Sequence, residues 1–127
     1  MRFPGRSILA LLALTLALLP QIAQAQSYPS KPISLVVPFP AGSTTDLVGR
    51  ILSDELGKAI GQNVVIDNRG GAGGGLGSEA VARAAPDGYT LLLGSWVTHV
   101  VNGVVDALKY DVVNDFEPIS LIATNPL

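Results

Sequence analysis

Short apolar blocks alternate along the chain with stretches of helical spacing. The first block, Ile33–Val37, is a nearly continuous apolar run that ends at Pro38, and this pattern is typical of a buried strand with helices on both faces. Between residues 44 and 60 the apolar positions recur three and four residues apart, which predicts an amphipathic helix. Gly61 follows at the position of a helix C-cap.

The same alternation continues towards the end of the chain. The pattern predicts strands over residues 64–66, 89–93 and 119–123, and helices over residues 76–85 and 99–108. The predicted order is therefore β-α-β-α-β-α-β. Helices between short apolar strands indicate an α/β fold with a mostly parallel sheet and flanking helices.

The first 25 residues have the pattern of a secretory signal peptide. Two arginines precede an apolar run over residues 8–19, and a small-x-small cleavage site ends at Ala25. The alternative is a transmembrane anchor, but the apolar run is shorter than the roughly 20 residues that span a bilayer. We therefore expect export to the periplasm, cleavage near Ala25 and a mature chain of residues 26–127.

Composition narrows the classes of function. Cleavage would remove two of the eight basic residues and none of the ten acidic ones, so the mature chain carries four more acidic than basic residues. An acidic chain without a basic run argues against nucleic-acid binding. The absence of cysteine excludes disulfides, thiolate catalysis and cysteine-ligated metals. We expect no metal and no cofactor.

Three predicted loops leave strand ends, where ligands bind in open parallel sheets. The first of them runs straight into the predicted helix over residues 44–60, whose unpaired amides and dipole would attract an anion. Gly42 allows close approach of a ligand to the backbone, and Ser43, Thr44 and Thr45 can add hydroxyl donors.

Asp46 has two interpretations. It lies three residues after Ser43, which matches a capping box. Alternatively, its carboxylate lies at the pocket wall, where it orders water or accepts from a ligand hydroxyl or amine.

The second loop contains five glycines within residues 70–75. It is either a mobile connection or a backbone cradle around a polar ligand group. Neither a phosphate-loop motif nor the dinucleotide fingerprint matches, because no Gly-Lys-Ser/Thr follows and Leu76 occupies the place of the third glycine. Arg69 is a candidate partner for a ligand carboxylate, although pairing with Asp67 or with solvent is the commoner outcome.

The third loop carries the residues on which an enzymatic interpretation would depend. His99 is the only histidine, and Ser95 lacks the glycine-bracketed surroundings of a nucleophile elbow. No nucleophile, base and oxyanion donors come together in the sequence, so we expect no catalytic residue. An α/β hydrolase that uses Ser95 and His99 is the less favoured alternative.

Four sequence blocks together carry a family resemblance. They are YPSKPISLVVPFPAGSTTD, VVIDNRGGAGGG, APDGYTLLLGS and YDVVNDFEPISLIA. In this order they resemble the substrate-binding receptors of tripartite tricarboxylate transporters, which are also called Bug receptors. The resemblance implies a two-domain periplasmic-binding-protein-like fold that closes on a small organic acid and delivers it to the membrane permease subunits.

The resemblance also implies ligand-binding residues, which act in the family through backbone amides, hydroxyls and ordered waters. Together with Ser43, which stands where the family usually has a second glycine, they are Phe39, Ala41, Gly42, Thr44, Asp46, Gly71, Ala72, Gly73, Gly74 and Ser95. Trp96-Val97 replaces the small polar pair that is usual after the third strand, which favours an aromatic or bulky ligand or else a packed tryptophan.

Members of this family are longer than the present chain. By resemblance, residues 26–127 hold the N-terminal part of the first solute-binding domain and the start of the crossover to the second, whose remainder is absent. The favoured function is capture of a small carboxylate in the periplasm. The alternatives are an inactive truncated remnant and, less favoured, a hydrolase-like enzyme.

Overall fold

The computed structural model of the protein describes residues 27–105 and 107–124. The predicted signal peptide over residues 1–25 lies outside the described residues, so its cleavage stays a prediction. In the part of the chain that is described, every helix is too short or too polar to cross a membrane.

The described residues form strands and helices in the order that the sequence pattern predicts as far as the third helix. The strands are β1 (Ile33–Val37), β2 (Val64–Asn68) and β3 (Thr90–Leu92), and the α-helices are α1 (Thr44–Ile60), α2 (Gly75–Ala82) and α3 (Asn102–Val105). A 3-10 turn, Ala72–Gly74, leads into α2, and a π-helical turn, Val97–Val101, leads into α3.

β1 is the central strand of a parallel sheet in the order β2-β1-β3. Leu35 of β1 lies opposite Ile66 on one side and Leu91 on the other. Leu35, Val37 and Leu93 form the buried core on one face of the sheet, and Val36, on the opposite face of β1, is also buried, so both faces of this strand are covered. The predicted α/β fold with a mostly parallel sheet is confirmed.

The connections between the strands place a crevice at one edge of β1. α1 packs against β1 and β2, whereas α2 packs against β1 and β3. Right-handed crossovers to opposite sides of β1 put α1 and α2 on opposite faces of the sheet. The strand order therefore reverses between β1 and β3, and ligands of open α/β sheets bind in the crevice at such a switch point.

α1 begins and ends where the sequence predicts. Gly61 has the left-handed conformation of a C-cap, and its amide donates to Gly57 O at 3.0 Å. Only part of the apolar face is covered: Leu52 packs against the core, but Leu47 and Ile51 are 56% and 69% exposed. The helix is thus positioned by its caps and by one apolar row.

The helix predicted over residues 99–108 has the wrong bounds. Helical structure begins at Val97 and ends at Val105, and residues 107 and 108 are not helical. Ser95 initiates the earlier start, because its carbonyl accepts the amide of His99 at 3.1 Å. The helix ends earlier than predicted, and the chain after it folds back against the helix. There the ring of Phe116 lies 4.9 Å from that of His99, between centroids, in a T-shaped arrangement.

The strand predicted over residues 119–123 is wrong. This segment pairs with no strand of the described residues, and Ile119 and Leu121 are each 78% exposed. A short apolar run becomes a strand only beside a partner with free backbone groups, and the apolar pattern alone does not supply that partner. Smaller differences concern β2, which extends to Asn68, and α2, which ends at Ala82.

Candidate functional site

The first candidate loop joins the end of β1 to the start of α1 through a cap. Ser43 is the N-cap, and its Oγ accepts the amide of Asp46 at 3.2 Å. In return, Asp46 Oδ2 accepts the amide of Gly42 at 2.8 Å. This reciprocal pair matches the predicted capping box, except that the carboxylate takes the amide one residue before the cap.

The carboxylate of Asp46 is buried and already engaged by the protein. The side chain is 1% exposed, Arg50 Nε donates to Oδ2 at 2.9 Å, and Asn68 Nδ2 donates to Oδ1 at 2.9 Å. The amide of Gly42, followed by Arg50 and Asn68, lowers the pKa of Asp46 to about 2. These contacts favour the structural interpretation of Asp46 over a direct ligand contact.

Two amides at the start of α1 remain open. Within the described residues, no hydrogen bond takes up the backbone N–H of Thr44 or Thr45. Amides in the first turn have no carbonyl partner inside the helix, and they carry the positive end of its dipole. An anion that reaches this end of α1 would meet two donors.

A cleft of 390 Å³ lies beside this first turn of α1, at the switch point between β1 and β3. It is lined by Thr44, Thr45, Val48, Leu92, Leu93, Gly94, Ser95, Ser120, Leu121, Ile122 and Ala123. Its lining contains no charged side chain, so the polar groups that it offers are hydroxyls and backbone amides. Cavities of 570 and 560 Å³ at the C-terminal end of α1 and around residues 108–112 are larger, but they lie away from the C-terminal ends of the strands.

Ser95 enters the cleft from the end of β3 and is held by a residue that the sequence did not single out. The amide of Ser95 donates to Thr98 Oγ1 at 2.9 Å, and Thr98 Oγ1 donates to the carbonyl of Ser95 at 2.9 Å. Thr98 is fully buried. Its position three residues after a serine at a helix start was the available signal, because such residues bind local backbone groups.

The glycine-rich loop forms a shaped, packed turn. Residues 71–74 all have positive φ, with values of 124°, 48°, 59° and 90° in chain order. Gly74 is buried against Thr98 and Pro38, and Asn102 Nδ2 donates to Gly73 O at 3.1 Å. Asn102 is 3% exposed and was also missed, because the contact joins residues 29 positions apart.

Comparison with protein families identifies the chain. The model of the tripartite tricarboxylate transporter family receptor matches residues 48–127, which is more than half of the sequence. The chain belongs to this receptor family. The resemblance that the sequence blocks carry is therefore confirmed.

Relatives with curated sequences are longer than this family member. Protein BugT of Bordetella pertussis is 43% identical over 105 residues, which cover 81% of the chain and 32% of BugT. A UPF0065 protein of Bordetella bronchiseptica is 44% identical over 120 residues, which cover 94% of the chain and 36% of that protein. The chain thus spans about a third of the length of these relatives.

Solved structures support the same family assignment. MatC from Rhodopseudomonas palustris, solved with bound malate, matches with a TM-score of 0.68 and 41% identity over 72% of this chain and 31% of MatC. A protein described as a periplasmic transporter matches with a TM-score of 0.65 and 42% identity over 68% of this chain and 30% of its own.

The receptor chain brings few of its predicted ligand residues into the cleft. Thr44 and Ser95 line it, whereas Gly42, Ser43 and Asp46 build the cap behind it. Phe39 packs against the core, Ala41 is exposed beside the cap, and the loop of Gly71, Ala72, Gly73 and Gly74 lies outside the cleft lining. Thr45, which the sequence offers as a hydroxyl donor but which the family resemblance does not include, also lines it.

Arg69 and His99, the two remaining candidates from the loops, each contact a nearby side chain. Arg69 Nε lies 2.8 Å from Asp67 Oδ2, as the commoner interpretation predicted. His99 Nδ1 lies 2.9 Å from Thr98 Oγ1, and desolvation lowers the pKa of His99. The described residues contain no hydrogen bond from His99 to a carboxylate or to the Ser95 side chain, so they form no hydrolase triad.

Proposed function

We propose that this chain is part of a periplasmic receptor that captures a small organic carboxylate, and that the cleft between α1 and the end of β3 is one wall of the site. The observation that carries the proposal is the pair of open amides at Thr44 and Thr45, two residues that line a cleft at the topological switch point. The N-terminus of a helix is a ready site for an anion.

In the proposed mode of capture, the ligand carboxylate accepts from the two amides of the first turn of α1. The hydroxyls of Thr44 and Thr45 lie on the same wall, and Ser95 donates from the opposite wall. The negative charge of Asp46 does not oppose the ligand, because Arg50 and the amide of Gly42 neutralise and solvate it. In this mode the ligand carboxylate is bound by hydrogen-bond donors alone, because the cleft lining contains no positively charged side chain.

The relatives support the ligand class. MatC was solved with malate, and a second Rhodopseudomonas palustris protein, 42% identical to this chain, was solved with adipate. We propose that this receptor takes an acid of similar size and passes it to the membrane permease subunits that the family name implies. A second wall, outside the part of the fold described, would close over the ligand.

Binding without turnover is the favoured activity. The hydrolase alternative requires a base that activates Ser95, but His99 Nδ1 is engaged by Thr98 and its ring packs on Phe116. An inactive remnant remains the second alternative. It predicts a folded or unfolded chain that binds no acid at all.

Replacement of Thr44 by proline tests the proposal most directly. Thr44 is the first residue of α1, where proline is well tolerated, and Ser43 already has the extended backbone that a following proline requires. Thr44→Pro deletes one proposed amide donor and leaves the helix, whereas the control Thr44→Ala keeps the amide and deletes only the hydroxyl.

Calorimetric titration of the purified protein with malate, adipate and benzoate, and with the uncharged diamide of adipate, gives the readout. We expect saturable binding of at least one acid and none of the diamide. Because hydrogen bonds to charged groups contribute about 1.5–3 kcal/mol, Thr44→Pro should weaken binding by about tenfold or more. Silence across the acids, or equal affinity of Thr44→Pro and the wild type, would refute the proposed site.

A further inference from the structure

Thr98 connects two loops that the sequence treats as separate. Its Oγ1 lies 2.9 Å from the amide of Ser95, 2.9 Å from the carbonyl of Ser95 and 2.9 Å from Nδ1 of His99. Its methyl group faces Gly74, where a Cβ would lie 2.6 Å from Thr98 Cγ2. One fully buried side chain therefore contacts both the turn after β3 and the glycine-rich loop.

The partners of this hydroxyl restrict the hydrogen positions. A hydroxyl has one proton to donate and two lone pairs that accept. The amide of Ser95 occupies one lone pair, and both the carbonyl of Ser95 and Nδ1 of His99 lie within reach of the proton. We assign the proton to the carbonyl, which can only accept, and in this assignment the remaining lone pair accepts from His99, which carries its proton on Nδ1. Desolvation lowers the pKa of His99 and favours the neutral imidazole.

The surroundings hold His99 in this orientation. The edge of its ring lies against Gly94, where a Cβ would come within 2.7 Å of Cε1, and the ring packs in a T-shaped arrangement with that of Phe116. His99 and Ser95 together saturate the hydroxyl of Thr98, so Thr98 has one favourable rotamer. The backbone of Ser95 is then held at both its N–H and its C=O by the same atom.

A second side chain of the same helical segment acts on the same loop. Asn102, four residues after Thr98, donates to the carbonyl of Gly73 at 3.1 Å and is nearly fully buried. Residues four apart lie on one face of a helix. Thr98 and Asn102 thus attach the glycine-rich loop to the face that also holds the Ser95 turn.

We propose that Thr98 is a positioning residue for ligand capture. Its hydroxyl sets the conformation in which Ser95 faces the cleft, whereas its methyl group only packs against the glycine-rich loop. The proposal rests on the proposed function, because it requires that Ser95 contact the bound acid.

Two variants separate the hydroxyl from the methyl group. Thr98→Val keeps the shape and deletes the hydrogen bonds of Oγ1, whereas Thr98→Ser keeps the hydroxyl and deletes the methyl group. Calorimetry with the acid that the wild type binds should show Kd raised about tenfold or more in Thr98→Val and changed less than about threefold in Thr98→Ser. Equal affinities of the wild type and Thr98→Val would overturn the proposal.

The ring nitrogens of His99 report the hydrogen-bond arrangement around Thr98 independently of the binding assay. Long-range ¹H–¹⁵N correlation spectra should show the Nδ1–H tautomer in the wild type and in Thr98→Ser, and a shift towards Nε2–H in Thr98→Val. A wild type with its proton on Nε2 overturns the proposal even if Thr98→Val fails to fold.

The two proposals fail in different ways. A wild type that binds no acid refutes the proposed function, and the positioning role falls with it. A wild type that binds, beside a Thr98→Val variant that binds equally well, overturns the positioning role alone.

Discussion

Gly74→Ala tests how closely the glycine-rich loop packs against the segment that follows β3. Gly74 has φ of +90°, and an added Cβ would lie 2.6 Å from Thr98 Cγ2 and 3.2 Å from Pro38 O. A left-handed conformation costs a residue with a Cβ about 1–2 kcal/mol, and forcing a methyl group into occupied space costs about 1–3 kcal/mol. We expect the free energy of unfolding to fall by about 2–5 kcal/mol, out of about 5–15 for a typical domain.

Gly42→Ala is the matched control. Gly42 also has positive φ, at +83°, but nothing lies within 4 Å of an added Cβ. Only the backbone cost applies there, so the loss should be about 1–2 kcal/mol. The difference between the two variants isolates the packing contribution of Gly74.

A double variant then identifies the atom that is responsible. Thr98→Ser removes Cγ2, the atom nearest to the added methyl group, so Gly74→Ala should cost less in that background by about 1–2 kcal/mol. Urea unfolding followed by circular dichroism measures the wild type and the four variants. Strictly additive losses, or a loss in Gly74→Ala no greater than that in Gly42→Ala, would refute the close contact.

Two further predictions concern the cap and the loop. The pKa of Asp46 is lowered from 3.8 to about 2, and the hydrogen bond from the amide of Gly42 is the largest cause. The charged form of Asp46 therefore stabilises the fold above about pH 4, and this contribution is lost as the pH falls towards 2. Asp46→Asn should therefore flatten the acid side of the curve of unfolding free energy against pH, and an unchanged slope between pH 4 and 2 would contradict the assignment. Asn102→Ala leaves Gly73 O without its donor and should lower the free energy of unfolding by about 1 kcal/mol in the same urea assay, whereas an unchanged midpoint would show that the contact contributes nothing.

The parts of the fold that the sequence predicts well are those with local causes. An apolar run that ends at Pro38 indicates a buried strand, and a helical pattern between Ser43 and Gly61 carries its own start and stop signals. β1 and α1 follow with the predicted bounds. The strand predicted over residues 119–123 fails because pairing depends on a neighbouring strand, which no local pattern encodes.

The candidate site is only partly predictable for the same reason. The sequence places Asp46 in a cap or at a pocket wall, and Asn68, 22 residues later, makes one of the contacts that decide between them. Thr98 reads as a loop residue and Asn102 as an ordinary helical residue until the fold brings the glycine-rich loop against them. Long-range hydrogen bonds of this kind depend on the topology of the sheet, and the topology follows from the whole chain.

At the start of α1, some amides stabilise the helix and their neighbours remain available for a ligand. Ser43 Oγ takes the amide of Asp46, and Ser43 O takes the amide of Leu47 at 3.0 Å, so the cap fixes the position of the helix. The amides of Thr44 and Thr45 lie between the cap and the first hydrogen bond of the helix. They are therefore held in a fixed position but have no hydrogen-bond partner within the described residues. A ligand that accepts from them binds to backbone that is already ordered. Because ordering costs affinity, a rigid pair of open donors favours tight capture of an anion in a cleft without a cation.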